Sequence, residues 1–319
     1  MRRKILFGIF LIFIIIVVLP AVILLIYDDK PRIRVTPIEN PIMVYNHNTG
    51  ELMEMDLEEY LIGVVAQEMP ASFESEALKA QTIAARTYAY KRIIEPDARV
   101  KELHPQADIT TNPNISQAWI SNGEMREKWG FWNSISYRNK IANAVESTKG
   151  EVVVYQNKLI DPVYHSSCGG GKTENSEEVW KYPFPYLVSV QCPEHKEGYY
   201  QDSKIISLKS VDAALGTNLA KGSTTNSLKV LERSKAGRIK LISIDEKTFQ
   251  GTELRTKLGL RSTWFTWEFN KDHITFTTRG YGHGVGMCQY GANHLAKEGK
   301  TYDQILKHYY TGVEIVNIQ

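Results

Sequence analysis

Residues 63–73 read GVVAQEMPASF, and one acid in this stretch, Glu68, decides how the surrounding chain is read. Upstream, Leu57, Tyr60, Leu61, Val64 and Val65 recur at helical spacing and form one apolar stripe. Glu68 follows Val64 by four and Val65 by three, so it continues that stripe. Asp56 as N-cap, with Glu59 three residues on, predicts a helix over 56–68, stopped by Pro70. A carboxyl on a core-facing stripe loses hydration, which disfavours its ionised form and raises its pKa. A general acid working at neutral pH needs that property. Periodicity alone also fits a plainer role, in which Glu68 caps a neighbouring helix or pairs with a buried arginine.

Reading outward, SEALKAQTIAARTYAYKRI predicts a second helix over 75–93. Lys79 and Arg86 are seven apart and share a face, with Thr82 between them. A helical hairpin closed by MPASFES would bring that polar face beside Glu68, where it would suit an anionic or polyhydroxylated substrate. A solvated helix face is the alternative, stronger for Lys79 than for Arg86, which sits in the apolar run IAARTYAY.

Before these helices, a strand is expected around 42–45, followed by the turn NHNTGEL. After them, 97–135 is polar and Asn-rich, with a turn at TTNPN and a further helix expected over 136–148. From residue 150 the period changes. EVVVYQNKLIDPVYHSS reads as a hairpin around QNK, CGGGKTENSEEVW as a glycine-rich loop, and RIKLISI, WFTWEF and HITFTT as strands. RGYGHGVGMCQYGANHLAKEG reads as a loop then a helix, and TYDQILKHYYTG as a last helix. The fold class is α+β, a mixed helix and strand region in two intertwined subdomains.

The chain has 319 residues, 43 % hydrophobic and 23 % charged, with a formal net charge of +2. That composition suits a globular protein, and the near-neutral charge argues against nucleic acid as a partner. MRRK precedes ILFGIFLIFIIIVVLPAVILLIY, residues 5–27, which carries no charge. As a helix this run spans roughly 35 Å, enough to cross the hydrocarbon core. The expected organisation is residues 1–4 cytoplasmic, 5–27 a transmembrane anchor, 28–40 a stalk, and 41–319 outside the membrane. A cleaved signal peptide is the rival, but the run is long for one and no small-x-small cleavage site ends it. The three cysteines, Cys168, Cys192 and Cys288, allow at most one disulfide; Cys168 and Cys192 flank one segment and could pair, or all three could remain thiols. Neither CxxC nor HExxH occurs, so no dedicated metal site is expected.

Two further polar clusters sit in glycine-rich frames, which let backbone approach a ligand closely. One offers His165, Ser166, Ser167 and Lys172; the other offers Arg279, Tyr281, His283, Gln289 and Tyr290. GYGHGVG lacks the rest of a dinucleotide fingerprint. A Ser166–His283–Asp triad can be drawn, but no GxSxG elbow supports it.

Three long stretches, LEEYLIGVVAQEMPASFESEALKAQTIAARTYAY, YHSSCGGGKTENSEEVW and RGYGHGVGMCQYGANHLAKEGKTYDQILKHYYTG, closely resemble the stage II sporulation protein D family, in order and over most of the chain after the anchor. The resemblance implies a peptidoglycan lytic transglycosylase, which cuts between N-acetylmuramic acid and N-acetylglucosamine without water and leaves a 1,6-anhydro end. It implies Glu68 as the catalytic acid and matches Lys79 and Arg86 to family positions. Motif position adds His165, Ser166, Lys172, Tyr281, His283, Gln289 and Tyr290 as substrate-binding residues. It further implies glycan strands already stripped of stem peptides by a partner amidase, and a complex with sporulation proteins M and P at the mother-cell membrane, facing the intermembrane space, during engulfment. Some clostridial members are similar in holding zinc with one His and two Cys after the second helix; here that region keeps His104 but has no Cys, and no cofactor is expected. Against this reading stand three others: a non-catalytic amidase enhancer that binds the wall, a water-using hydrolase with metal through His165 and His283, and a structural sporulation scaffold.

Overall fold

In the computed structural model, residues 41–222 and 227–318 are described, together with Arg3, Ile16 and Val18. The apolar run 5–27 and the stalk 28–40 otherwise lie outside the described residues. Among the described residues no helix is long and apolar enough to cross a membrane.

The chain begins with β1 (Ile42–Tyr45) and β2 (Leu52–Met55), an antiparallel pair, followed by α1 (Leu57–Glu68) and α2 (Ser75–Ile94). Asp56 caps α1 by accepting from the amides of Glu58 and Glu59 at 2.9 and 3.1 Å, as its sequence position predicts. Glu59 does not close a capping box; it pairs with Arg138 at 2.7 Å.

The polar, Asn-rich stretch 97–135 carries regular structure beyond its turn. It holds α3 (Ala98–Leu103), β3 (Ile109–Thr110), which pairs parallel with β1, and α4 (Asn122–Trp129). Ser121 and Glu124 form a capping box at the start of α4, a local signal easily lost in a polar stretch. Gly130, at φ +75, then turns the chain into α5 (Phe131–Glu146), which starts five residues earlier than the expected helix.

β4 (Glu151–Tyr155) and β5 (Lys158–Leu159) form the expected hairpin, with Gln156 and Asn157 at φ +48 and +63 in its two-residue turn. β6 (Tyr164–His165) and α6 (Ser176–Trp180) follow.

Next comes an insertion with its own core: β7 (Gln201–Ser207), α7 (Leu208–Leu215), β8 (Leu228–Arg233), β9 (Ile239–Ile244), β10 (Lys247–Gln250), α8 (Gly251–Leu258), β11 (Phe265–Phe269) and β12 (His273–Arg279). These elements build two three-stranded antiparallel sheets, β10-β9-β8 and β11-β12-β7. Val211, Ile242, Leu254, Phe265 and Phe276 fill the space between them.

The chain returns through β13 (Met287–Cys288), α9 (Gln289–Lys297), α10 (Tyr302–Tyr309) and β14 (Glu314–Asn317). β13 pairs parallel with β6, and β14 pairs antiparallel with β4. The two ends of the insertion are thus stitched together, within one compact body spanning the described residues from 41 onward. Helix α2 runs through its centre; Ala77, Leu78, Ala80, Ile83, Ala84 and Ala85 are buried, and the four alanines let neighbouring elements pack closely around it.

Candidate active site

Glu68 is the last residue of α1. Its place depends on Gly63, one turn earlier on the same helix. A Cβ at residue 63 would lie 2.1 Å from Nε1 of Trp119 and 2.7 Å from the carbonyl of Ile120. With glycine there, the segment 117–120 lies flat on α1, and the amide of Ala118 donates to Oε1 of Glu68 at 3.0 Å. The hydroxyl of Tyr164, from β6, accepts from Gln117 at 3.1 Å and stands close enough to favour the ionised carboxyl. Lys128, on α4, is anchored by donating at 3.0 Å to both the carbonyl of Ala66 and Oε1 of Gln67. Burial pushes the Glu68 pKa up from 4.5 to about 7; the bond from Ala118, the nearby Tyr164 hydroxyl and the charge of Lys128 pull the other way and lose.

Glu68 lines a cleft of about 680 Å³. The facing wall is built from the two glycine-rich motifs. β6 and β13 set Tyr164 against Met287 and His165 against Cys288, and Ser167 bridges to Tyr281. Gly280, at φ +78, permits this approach; a Cβ there would lie 2.6 Å from the carbonyl of Ser167. His165, Ser166, Tyr281, His283, Gln289 and Tyr290 all reach the cleft, as their motif positions suggested. Trp129, Tyr137, Tyr164 and Tyr199 complete an aromatic lining. Among the described residues Glu68 is the one acidic side chain that lines it.

His283 is not an acid–base group here. Nδ1 of His283 accepts from the amide of Val285 at 3.1 Å, and its Nε2 donates to the carbonyl of Tyr164 at 2.9 Å. Burial lowers its pKa to about 3, so the ring is neutral with both nitrogens engaged. It can neither serve Ser166 as a base nor share a metal ion with His165. That removes the geometric basis of the Ser–His–Asp triad and of the metal-hydrolase reading.

Three sequence candidates lie elsewhere. Arg86 is fully buried and clasps Glu58, with Nε to Oε1 at 2.9 Å and Nη2 to Oε2 at 2.6 Å. It also donates to Thr148 and to the carbonyls of Val145 and Glu151. It is a strut joining α1, α2, α5 and β4, and its neighbours leave it no route to a ligand. Lys79 pairs with Glu76 at 2.8 Å on the far side of the helical hairpin. The 75–94 helix keeps both cations from the cleft by pairing each with a glutamate, while its buried Gln81 accepts from Gln289 of the cleft wall at 3.2 Å. Lys172 is exposed and gives only its carbonyl, which accepts from Arg238 at 3.1 Å.

Sequence reading missed Lys128, Trp129 and Ala118, which come from the polar stretch with no periodic signal, and Tyr137, which lies in the helix expected over 136–148. It also missed the fate of the cysteines. All three are free and buried, and they converge with His195 behind the cleft wall. The spacing CPEH at 192–195 was the available signal.

Comparison with known proteins agrees with this architecture. Residues 45–155 match the family described as stage II sporulation protein (SpoIID), and residues 177–286 match a family described as a domain of unknown function (DUF8618). The chain is 39 % identical over 284 residues to the stage II sporulation protein D of Bacillus subtilis (strain 168), covering 89 % of this chain and 80 % of that protein. It is 37 % identical over 287 residues to the protein of the same name from Bacillus amyloliquefaciens, covering 90 % and 81 %. An amidase enhancer of Bacillus subtilis (strain 168) is 33 % identical over 311 residues, which span 81 % of this chain but 40 % of that protein. With an α+β body, the Glu68 cleft and two relatives matched along most of their length, this chain belongs to the stage II sporulation protein D family.

Proposed function

We propose that the chain is a peptidoglycan lytic transglycosylase acting in sporulation, with Glu68 as its catalytic acid and base. One observation carries this reading: among the described residues Glu68 is the single acid in an aromatic-lined cleft, and its pKa of about 7 leaves much of it protonated at neutral pH. Glu68 protonates the glycosidic oxygen as the bond to C1 of N-acetylmuramic acid breaks. The resulting carboxylate takes the proton from the C6 hydroxyl of the same sugar, whose oxygen bonds to C1 and closes the 1,6-anhydro ring. A hydrolase that uses water needs a second carboxyl within about 5–9.5 Å. An internal hydroxyl does not, because its effective molarity is already very high. The faces of Trp129, Tyr137, Tyr199, Tyr281 and Tyr290 suit the apolar faces of pyranose rings. The reading includes peptide-stripped glycan as substrate, a partner amidase that strips it (sporulation protein P), the membrane protein M, and an N-terminal anchor that keeps the enzyme at the mother-cell membrane.

The test is mass spectrometry of peptide-free glycan strands after incubation with wild-type protein or with Glu68→Gln. Anhydro-muramyl ends from wild type alone support the reading. Reducing ends without anhydro sugar would make it a hydrolase. Intact glycan in both, with retained wall binding, would favour the amidase-enhancer role.

A further inference from the structure

Behind the glycine-rich wall lies a cluster that the glycan chemistry does not use. Cys168, Cys192, His195 and Cys288 are buried, and one donor atom from each lies within 4.8 Å of all the others. None of the four lines the cleft. Among the described residues no other group of three or more His, Cys, Asp or Glu side chains converges in this way.

The spacing is that of a coordination sphere. Nε2 of His195 sits 3.6 Å from Sγ of Cys168 and 3.5 Å from Sγ of Cys288. A tetrahedral zinc ion, about 2.3 Å from sulfur and 2.0–2.1 Å from imidazole nitrogen, holds such a pair roughly 3.6 Å apart. Each sulfur is held in place by its neighbours. Sγ of Cys288 accepts the amides of Cys168 at 3.2 Å and Gly291 at 3.3 Å, the latter as N-cap of α9. Sγ of Cys192 lies 3.2 Å from the buried hydroxyl of Tyr309. Gly291 leaves the sulfurs their room: a Cβ there would be 2.4 Å from Sγ of Cys192. A disulfide between Cys168 and Cys192 would strand the third cysteine and the histidine.

We infer that Cys168, Cys192, His195 and Cys288 bind one Zn²⁺ in a closed, tetrahedral, structural site. Four protein ligands leave no open position for catalysis. Three chain segments are fastened at one point: the loop after β6, the CPEH turn, and the start of α9. Each carries or adjoins part of the cleft wall. His165 and Ser166 precede Cys168, Gln289 and Tyr290 follow Cys288, and the ring of Tyr290 stacks on His195 with centroids 6.0 Å apart. The site differs in sequence position from one that would use His104, and it stands whether or not the cleft cuts glycan.

The test uses the full chain, purified with reductant in detergent. After chelation and reconstitution with Zn²⁺, then dialysis, metal analysis is expected to find about one zinc per chain. Cobalt added to the chelated wild type should give thiolate-to-metal charge-transfer bands and the strong visible bands of tetrahedral Co²⁺. Cys192→Ser should lose both signals. Wild type that keeps no zinc and shows no such cobalt spectrum overturns the inference, as does an intact Cys168–Cys192 disulfide found by peptide mass spectrometry. The wild-type measurements decide the matter even if the variant folds poorly.

Discussion

Ala118 gives its backbone amide to the carboxyl of Glu68 over 3.0 Å, from a segment fifty residues further along the chain. The bond fixes the carboxyl at the mouth of the cleft and leaves its other oxygen for a substrate. It lowers the Glu68 pKa, yet burial outweighs it, and the group settles at about 7.

The catalytic profile should follow from that value. Lys128, Tyr60 and Tyr164 are the titratable groups coupled to Glu68, and His283 stays neutral near pH 7. Glycan cutting is expected to be steady below pH 7 and to fall about tenfold per pH unit well above it, as the acid ionises. Glu68→Gln should lower the rate by at least roughly 10²–10⁴-fold at every pH. Rate measurements from pH 5 to 9 check both; a rate that keeps climbing above pH 8 would remove Glu68 as the acid.

Stability should also fall as pH rises. The folded protein holds the Glu68 proton more tightly than the unfolded chain, since its pKa rises from 4.5 to about 7 on folding. The associated stability is fully present below about pH 4.5 and lost as pH rises through 7. Glu68→Gln carries no such charge, so it should exceed wild type in stability at pH 8 by on the order of 3 kcal/mol. Below pH 4.5 the two should converge. Urea unfolding at pH 4 and pH 8 reads the difference.

Lys128→Met removes a cation that favours ionised Glu68. The alkaline limb of the rate profile should then shift to higher pH, with the fold intact. A shift to lower pH would show that Lys128 acts on the substrate rather than on the acid.

Gly63→Ala should act on Glu68 through packing. The added methyl meets the ring of Trp119 and the carbonyl of Ile120, so the segment carrying Ala118 must retreat. A loss of about 1–3 kcal/mol is expected, with a rise in the kinetic pKa as the Ala118 bond lengthens. Unchanged stability would mean that the segment repacks freely.

Arg86→Ala strands the carboxylate of Glu58 against the core. The expected cost is about 3–5 kcal/mol, against a much smaller loss in a double variant with Glu58→Gln, because the uncompensated charge is then gone. Equal losses in the two would show that packing, not charge, is what Arg86 supplies.

The sequence by itself determined the parts that local rules govern. Asp56 ahead of an apolar stripe made α1, and the stripe's continuation through Val64 and Val65 put Glu68 toward the interior. QNK made the β4–β5 hairpin, because Gln156 and Asn157 accept positive φ. The glycine-rich motifs marked where backbone crowds a site, and His165, Ser166, Tyr281, His283, Gln289 and Tyr290 did gather there. Tertiary structure alone decided the rest. Lys79 and Arg86 share a helical face in the sequence, but whether that face meets a ligand depends on their partners in the fold: Glu76 of the same helix pairs with Lys79, and Glu58 of α1 packs against Arg86. Lys128, Trp129 and the Ala118 amide reach Glu68 only because Gly63 lets a distant segment lie against α1. Cys168, Cys192, His195 and Cys288 span 121 positions and converge only through the parallel pairing of β6 with β13 and the fold of the CPEH turn. Spacing along the chain reports one helix or one turn, whereas a cleft or a four-residue cluster depends on long-range packing that no local pattern encodes.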